Sequence, residues 1–523
     1  MRAYVLPMRA LSFSLVLSAV TSFAADPIAI GSRLEPLVDT TLIESFSGKA
    51  ELLMHHPVVR ETAVVHDAPW EGSGTGYHSV FKDGDRYQMY YKAWHLDVKP
   101  GAKGKATLNT GAHPLYTCYA ESADGIHWAK PKLGLVEFQG SKDNNIVLAS
   151  GMWEGVKIDA GHIALAKDEN PNAAADAKYK GFVLSGAAKG LLAFKSPDGI
   201  HWSPMSDKPV ITDGAFDSQN LAFWDSARGE YRAYWRYFTA GVTNDKEWKP
   251  SGHRAIRTAT SKDFIHWENQ RDLAYTDSPS EQLYTNVVKP YPGAPHILIG
   301  FPTRYVERTA WSESMRALPE RDHREMRSSV TPRYGLAITE GLLMTSRDGS
   351  TFHRWNDAFL RPGLERQGTW HYGHQYIAWH IVPTKAALEG EPDEFSLYAG
   401  ENYWTGTSSE LRRYSIRRDG FVSAHAPMSG GELVTKPITF TGKRLALNFS
   451  TSAAGNVRVE LQDAAGKAVS GFALDDCEET FGDSLSRTIY WKGGSDVSTL
   501  ASKPVRVRFV LKDADVFSLR FIE

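Results

Sequence analysis

One turn, made several times, constrains this chain more than any other feature. Ser122-Ala-Asp-Gly-Ile-His-Trp128 returns as Ser196-Pro-Asp-Gly-Ile-His-Trp202 and as Ser261-Lys-Asp-Phe-Ile-His-Trp267. A looser copy is Ser346-Arg-Asp-Gly-Ser-Thr-Phe352, with Trp355 beyond it, and a worn one is Arg418-Asp-Gly-Phe421. Each copy makes chemical sense as a hairpin. Ser and Asp hydrogen-bond the turn's own backbone, Gly takes a positive φ, and Trp packs to anchor the returning strand. Three near-identical copies signal structural repetition.

A pair of short apolar strands precedes each turn. The pairs are Tyr77–Phe81 with Arg86–Tyr91, His162–Ala166 with Tyr179–Leu184, Asn220–Trp224 with Tyr231–Trp235, Tyr284–Val288 with His296–Phe301, and Gln375–Trp379 with Phe395–Ala399. Five units of about four strands each, with almost no helical periodicity, predict an all-β fold built on a five-bladed β-propeller over residues 61–422. The charged stretch Arg308 to Arg333 reads as an irregular insertion at the rim. Beyond Ser423 the texture changes to alternating strands such as Val457–Leu461 and Val505–Leu511, so residues 423–523 are expected to form a C-terminal β-sandwich. Residues 26–60 read as an N-terminal arm that wraps the main domain or adds a strand to it.

A chain of 523 residues is long enough for two domains, and a net charge of −2 favours neither nucleic acid nor an anionic membrane as a partner. Arg2 and Arg9 precede the apolar run Leu11–Val20, and small residues follow at Ser22, Ala24 and Ala25. That run is too short to span a bilayer and reads as an export signal covering residues 1–25, which places the mature protein in the periplasm or outside the cell. The two cysteines, Cys118 and Cys477, lie far apart, and no metal-ligand spacing appears, so neither a disulfide, a metal nor a cofactor is expected. Oligomeric state is not legible in the sequence.

In a propeller the innermost strands line a central channel, and their starts open onto one pocket. The polar residues at those starts are therefore the candidates. The first unit offers Asp67, Glu71 and His78, the second Asp159 and His162, the third Asp217, the fourth Glu281, and the fifth Trp370, His371 and His374. Acids at equivalent positions in four of five units suggest glycoside cleavage, in which one carboxyl group donates a proton and another attacks or activates water. Trp235 and Trp370 could stack on sugar rings, and Arg257 and Arg304 could bind hydroxyls, carboxylate or sulfate; blade packing and surface ion pairs are the competing readings.

On these residues the chain resembles the five-bladed glycoside hydrolases of the family 32 and 43 group. The resemblance implies an aspartate in the first blade, a second midway and a glutamate acid beyond it, roles that Asp67, Asp217 and Glu281 match by order. It is one of architecture: there is no Trp-Asn-Asp-Pro run, Asp217 stands in Phe-Asp-Ser, and Gln follows Glu281. The expected function is an exported, exo-acting glycoside hydrolase for a plant or algal carbohydrate. The alternatives are a non-catalytic carbohydrate-binding propeller, a sialidase-like enzyme, or a polysaccharide lyase relying on Tyr, His and Arg. Export is checked by intact mass: the secreted protein should begin near Ala25 or Asp26, and retention of Met1 would refute it.

Overall fold

The computed structural model describes residues 26–101, 105–187 and 189–523, so the expected export signal falls outside the described residues. Five sheets follow one another along the chain, antiparallel except where Ala274–Thr276 runs parallel to the last strand of the fourth. The first blade holds Gly76–Asp83, Arg86–Ala93, Tyr116–Ser122 and Ile146–Ala149, and the second is built on Val156–Lys167, Tyr179–Ser185 and Leu191–Ser196. The third holds Leu221–Asp225, the long hairpin Glu230–Thr243 with Trp248–Ser261, and Trp267–Asp272. The fourth uses Lys289–Tyr291, Ala294–Gly300, Met344–Ser346 and Thr351–Arg354, and the fifth Val382–Thr384, Glu394–Glu401 and Ser409–Ile416.

The ring is closed by the N-terminal side of the chain. Val58–His66 pairs antiparallel with Ser409–Ile416 and becomes the outermost strand of the fifth blade. Without it that blade would end on an open edge, the usual liability of a sheet. Residues before this strand belong to the second unit. Ile28–Gly31, Glu35–Pro36, Ile43–Gly48 and Glu51–Met54 all join the ten-stranded sheet formed by residues 422–522. In that sheet Arg444–Asp463 and Val505–Ile522 pair along their whole length, with a register shift between Thr451 and Asn456. The sheet wraps one apolar core that includes Leu447, Phe449, Val459, Leu461, Trp491, Phe509 and Phe521. Cys118 and Cys477 are both buried and free.

The repeated turns sit between the third and outer strands of their blades, and their chemistry is uniform. Ser122 Oγ accepts from the amides of Asp124 and Gly125, while Asp124 Oδ1 accepts from those of Ile126 and His127. The copies at Ser196 and Ser261 repeat every one of these bonds. Phe264 holds the glycine position of the third copy at a φ of 72°.

The stretch expected to be an irregular rim loop is instead helical, over Glu313–Ala317, Arg321–Val330 and Arg333–Leu336. Ser312 caps the first helix and Arg321 pairs with Glu325 one turn on, local signals that a charged composition conceals. The buried Arg324 and Arg327 then dock the insertion on backbone carbonyls of Trp370, Tyr403 and Trp404.

The arm is fastened to the fourth blade at Glu35, whose fully buried carboxylate lies 3.1 Å from Arg347 and 3.3 Å from His296. Burial pushes the carboxyl up, but His296, Arg347 and Arg33 outweigh it and bring it down to about 2. A carboxyl lowered from 4.5 stabilises the fold above pH 4.5 and loses that contribution as pH falls through 2. Glu35→Gln should therefore cost about 3–5 kcal/mol at neutral pH, by removing the buried carboxylate that His296, Arg347 and Arg33 share, although Arg347 keeps Asp39. The gap from wild type in chemical denaturation should close as pH falls from 4.5 towards 2.

Candidate functional site

The segments that lead into the inner strands converge at one end of the channel, and the side chains they bring together are Tyr77, Asp159, His162, Asp217, Tyr284, Tyr372 and Tyr376. Tyr77 stacks on Tyr376 with centroids 6.4 Å apart and lies 5.8 Å from His162. Tyr284 is 5.4 Å from Tyr376, and its hydroxyl lies 3.0 Å from that of Tyr372. Gln219 joins the third blade to the first by donating to the Tyr77 and His78 carbonyls. Ser218 donates to the Tyr284 carbonyl of the fourth. Trp94, Tyr334, Tyr403 and Trp404 extend this aromatic lining.

Cations stand among the rings. Lys92 is the penultimate residue of the second strand of the first blade, only 3% exposed, with Nζ 4.5 Å from the Tyr77 ring centre and 4.8 Å from that of Trp94. Its ammonium has neither a hydrogen bond nor an ion pair among the described residues. Burial pulls it down to about 7, against the opposing pull of Asp159 and Asp217. Both carboxylates are thus close enough to feel its charge. Asp159 is bound by His162 Nδ1 at 3.1 Å and by the Gly161 amide at 2.8 Å. Burial pushes its carboxyl up, but His162, the Gly161 amide and Lys92 outweigh it, so it is held below the usual carboxylate range. Asp217 is 54% exposed and ion-pairs with the buried Arg236, whose guanidinium lies 4.6 Å from the Tyr284 ring. Arg254 follows across the hairpin, hydrogen-bonded to Gln282 and 4.6 Å from the Tyr305 ring. Strand alternation explains the placement: Arg236, Phe238 and Arg254 share one face of this hairpin, in the register Phe238–Arg254.

Of the residues expected at the pocket, Asp159, His162 and Asp217 are at this mouth. Asp67 is not among them. It follows the outermost strand of the fifth blade, 73% exposed, and pairs with Lys130 at 3.3 Å. The order of residues placed it in the first blade, but the strand before it closes the last one. Glu71 is buried beneath the same loop, bound by Tyr91 Oη, Lys130 and the Ala68 amide. Glu281 is clamped between Arg304 at 3.1 Å and Arg354 at 2.9 Å, the second contact lacking the alignment of a hydrogen bond. Its oxygens face guanidinium groups, which is the geometry of a structural ion pair and not of a proton donor. Arg304 is shared with Glu340, and Arg257 with Asp272, at the end of the outer strand of the third blade, and with Asp213 in the segment before that blade.

The remaining candidates serve packing. Trp235 is fully buried and donates to the Asp213 carbonyl. His78 and His66 face each other at 3.1 Å between Nε2 atoms, and burial brings His78 down to about 3. His371 is bound to Glu320 at 2.8 Å, and burial likewise brings it down to about 3. His374 Nδ1 accepts from the Trp370 amide, and Trp370 Nε1 donates to the Gly363 carbonyl, holding the loop beside the helical insertion.

Lys92, Arg236 and Arg254 were missed because they lie on second and third strands, one layer back from the channel. A signal was present: Arg86–Lys92 and Glu230–Arg236 are apolar runs that each end on a cation.

No family model matches the chain, and no curated protein does. Similar solved structures include a glycoside hydrolase family 43 arabinoxylan arabinofuranohydrolase from Bacillus subtilis, in complex with cellotetraose, at 14% identity and a TM-score of 0.40, over 90% of this chain and 99% of that one. An endo-arabinase from Bacteroides thetaiotaomicron is similar at 11% identity and a TM-score of 0.36, over 68% of this chain and 98% of that one. A β-1,2-mannobiose phosphorylase from Listeria innocua, with β-1,2-mannobiose bound, is similar at 12% identity and a TM-score of 0.36, over 68% and 96%.

The lysine makes a stability prediction whose sign is fixed. Below about pH 7 the folded chain carries a buried ammonium, at full cost. Between about 7 and 10.5 the folded lysine is neutral while the unfolded one still binds a proton, so rising pH relieves that cost. Lys92→Met should raise the melting temperature most below pH 7, and wild type should close the gap towards pH 10. A variant less stable at pH 6 would show the ammonium to be a net stabiliser.

Proposed function

We propose that this protein is a glycan-cleaving hydrolase that works at the aromatic mouth of the propeller and takes the ends of chains outside the cytoplasm. One observation carries the reading: Asp159 and Asp217, from neighbouring blades, flank a buried lysine on an aromatic floor. Hydrolysis needs a carboxylate to meet the anomeric carbon or its water, and a proton for the departing oxygen. Asp217, the most exposed of the three, takes the first role. Lys92 takes the second, since burial has made its ammonium acidic enough to release a proton near neutrality. Asp159, oriented by His162, supplies the negative charge that keeps part of the lysine population protonated. The Tyr77, Tyr376 and Tyr403 rings offer apolar faces to a sugar. The helical insertion and the 230–261 hairpin wall two sides of the mouth, which supports attack at chain ends.

A lyase reading is favoured by the same unpaired lysine, used as a base with arginines nearby. The pH profile separates the two. A donating Lys92 gives kcat/KM that falls as pH rises through about 7, whereas a proton-abstracting Lys92 gives one that rises there, with an ultraviolet-absorbing unsaturated product. Asp217→Asn should lower turnover by about 10²–10⁴ on any glycan that is cleaved. Glu281→Gln should act mainly on stability. Full activity in Asp217→Asn, with its fold intact, would place the chemistry elsewhere.

A further inference from the structure

We infer that the sugar held at this mouth is anionic, a uronate or a sulfate ester, received by Arg236 and Arg254. The inference rests on the reading of the mouth as a glycan site and names the class of glycan. Arg236 is 2% exposed, and among the described residues Asp217, through Nη2, is the one aligned hydrogen-bond partner of its guanidinium, the Tyr284 hydroxyl standing nearby without that alignment. Nε and Nη1 of the same group are buried and meet no acceptor. Arg254 Nε is likewise without a partner, and so is Tyr376 Oη.

These orphan groups converge on one place. Arg236 and Arg254 lie 4.6 and 5.5 Å from the centre of the Tyr284 ring, and the Tyr376 ring is 5.4 Å from it. A buried N–H without an acceptor costs free energy comparable to a lost hydrogen bond, and more for a charged group. Four unmet polar atoms around a single ring point to an acceptor that the protein itself does not supply.

The charge balance agrees. Lys92, Arg236, Arg254 and Arg333 face the mouth, Arg333 lying 5.7 Å from the Tyr372 ring. Against them stand Asp159, Asp217 and, at the rim, Glu307, which accepts from Tyr305 Oη. One further negative charge is accommodated. Guanidinium groups bind carboxylate and sulfate through paired, planar N–H bonds, so two of them select an acidic sugar over its neutral counterpart.

The test uses the full-length mature chain. Calorimetric titration with glucuronate, galacturonate and galactose 6-sulfate is set against glucose and galactose, and cleavage is followed on acidic polysaccharides before and after carboxyl reduction or desulfation. We expect the acidic forms to be preferred by roughly 10- to 100-fold, the size of a charged hydrogen bond. The preference should vanish in Arg254→Gln and partly return in Arg254→Lys. The uronate and sulfate arms decide which anion is read. Equal or better binding and cleavage of the neutral forms by wild type would overturn the inference while leaving the hydrolase reading intact. Selective binding of acidic sugars with no cleavage of any polymer would uphold it and sink the hydrolase reading.

Discussion

The ring depends on a hydrogen bond between neighbouring blades. Tyr90 of the first blade donates to the carbonyl of Gly199, the turn glycine of the second. Tyr234 of the third does the same to Gly349 of the fourth, and Tyr398 of the fifth to Gly125 of the first. All three tyrosines are fully buried; the Gly199 and Gly349 carbonyls have second donors in Trp202 and Arg232, whereas losing Tyr398 would leave the Gly125 carbonyl unpaired. Two junctions lack this bond, and the one between the second and third blades is instructive. The third blade carries Phe264 where the other turns have glycine, and the second carries Phe182 where the first, third and fifth blades have tyrosine. The two rings meet at 5.4 Å, so an apolar contact replaces the polar one on both sides at once. The backbone strain of a phenylalanine at positive φ is offset by that burial, and by contacts with Tyr231 and Trp267.

These latches hold the blades but leave the ring to be closed by a strand from the far end of the sequence. The arm that supplies it is itself built into the C-terminal sheet and tied to the fourth blade at Glu35. The two units are therefore not beads on a string. A disturbance in residues 28–66 reaches the fifth blade, the fourth blade and the second sheet together, because the segment adds a buried ion-pair cluster to the apolar contacts that Val38 and Met54 make in one core and Ile30, Leu37, Leu42 and Ile43 in the other.

How far the sequence could be read follows from where each signal lies. The turns are local, since Ser, Asp and Gly bond within seven residues, so blade number was legible. Asp159 and Asp217 stood out at the second and third blades because each lies within a few residues of the start of its strand, Asp159 just inside Val156–Lys167 and Asp217 just before Leu221–Asp225. Asp67 and Glu281 misled for a shared reason. Their surroundings are decided by partners distant in sequence: Lys130 for the first, Arg304 and Arg354 for the second. The helical insertion was hidden by its composition, because buried arginines bonded to carbonyls look in sequence like surface charge. The closing strand was invisible as such, since nothing in Val58–His66 states which sheet edge it will meet.

The repeat also shows how a symmetrical frame acquires an asymmetrical site. Counting two residues on from this position in four of the five blades gives Lys92 after Tyr90, Leu184 after Phe182, Arg236 after Tyr234 and Gly400 after Tyr398. Strand alternation sends these side chains in the same direction as the latch, one step nearer the mouth. A single register position therefore decides what each blade presents behind its inner strand. In the first and third blades it presents a cation, in the second an aliphatic side chain that fills the interior, and in the fifth nothing larger than hydrogen. The two cations then lie behind the carboxylates of the second and third blades, Lys92 within the influence of both and Arg236 paired with one. The latch residue upstream is spent on holding the ring, so variation two positions later can change the electrostatics of the mouth without loosening the frame. That separation lets a repeat built for stability carry a buried lysine and a half-satisfied arginine, groups that would be unaffordable in its core.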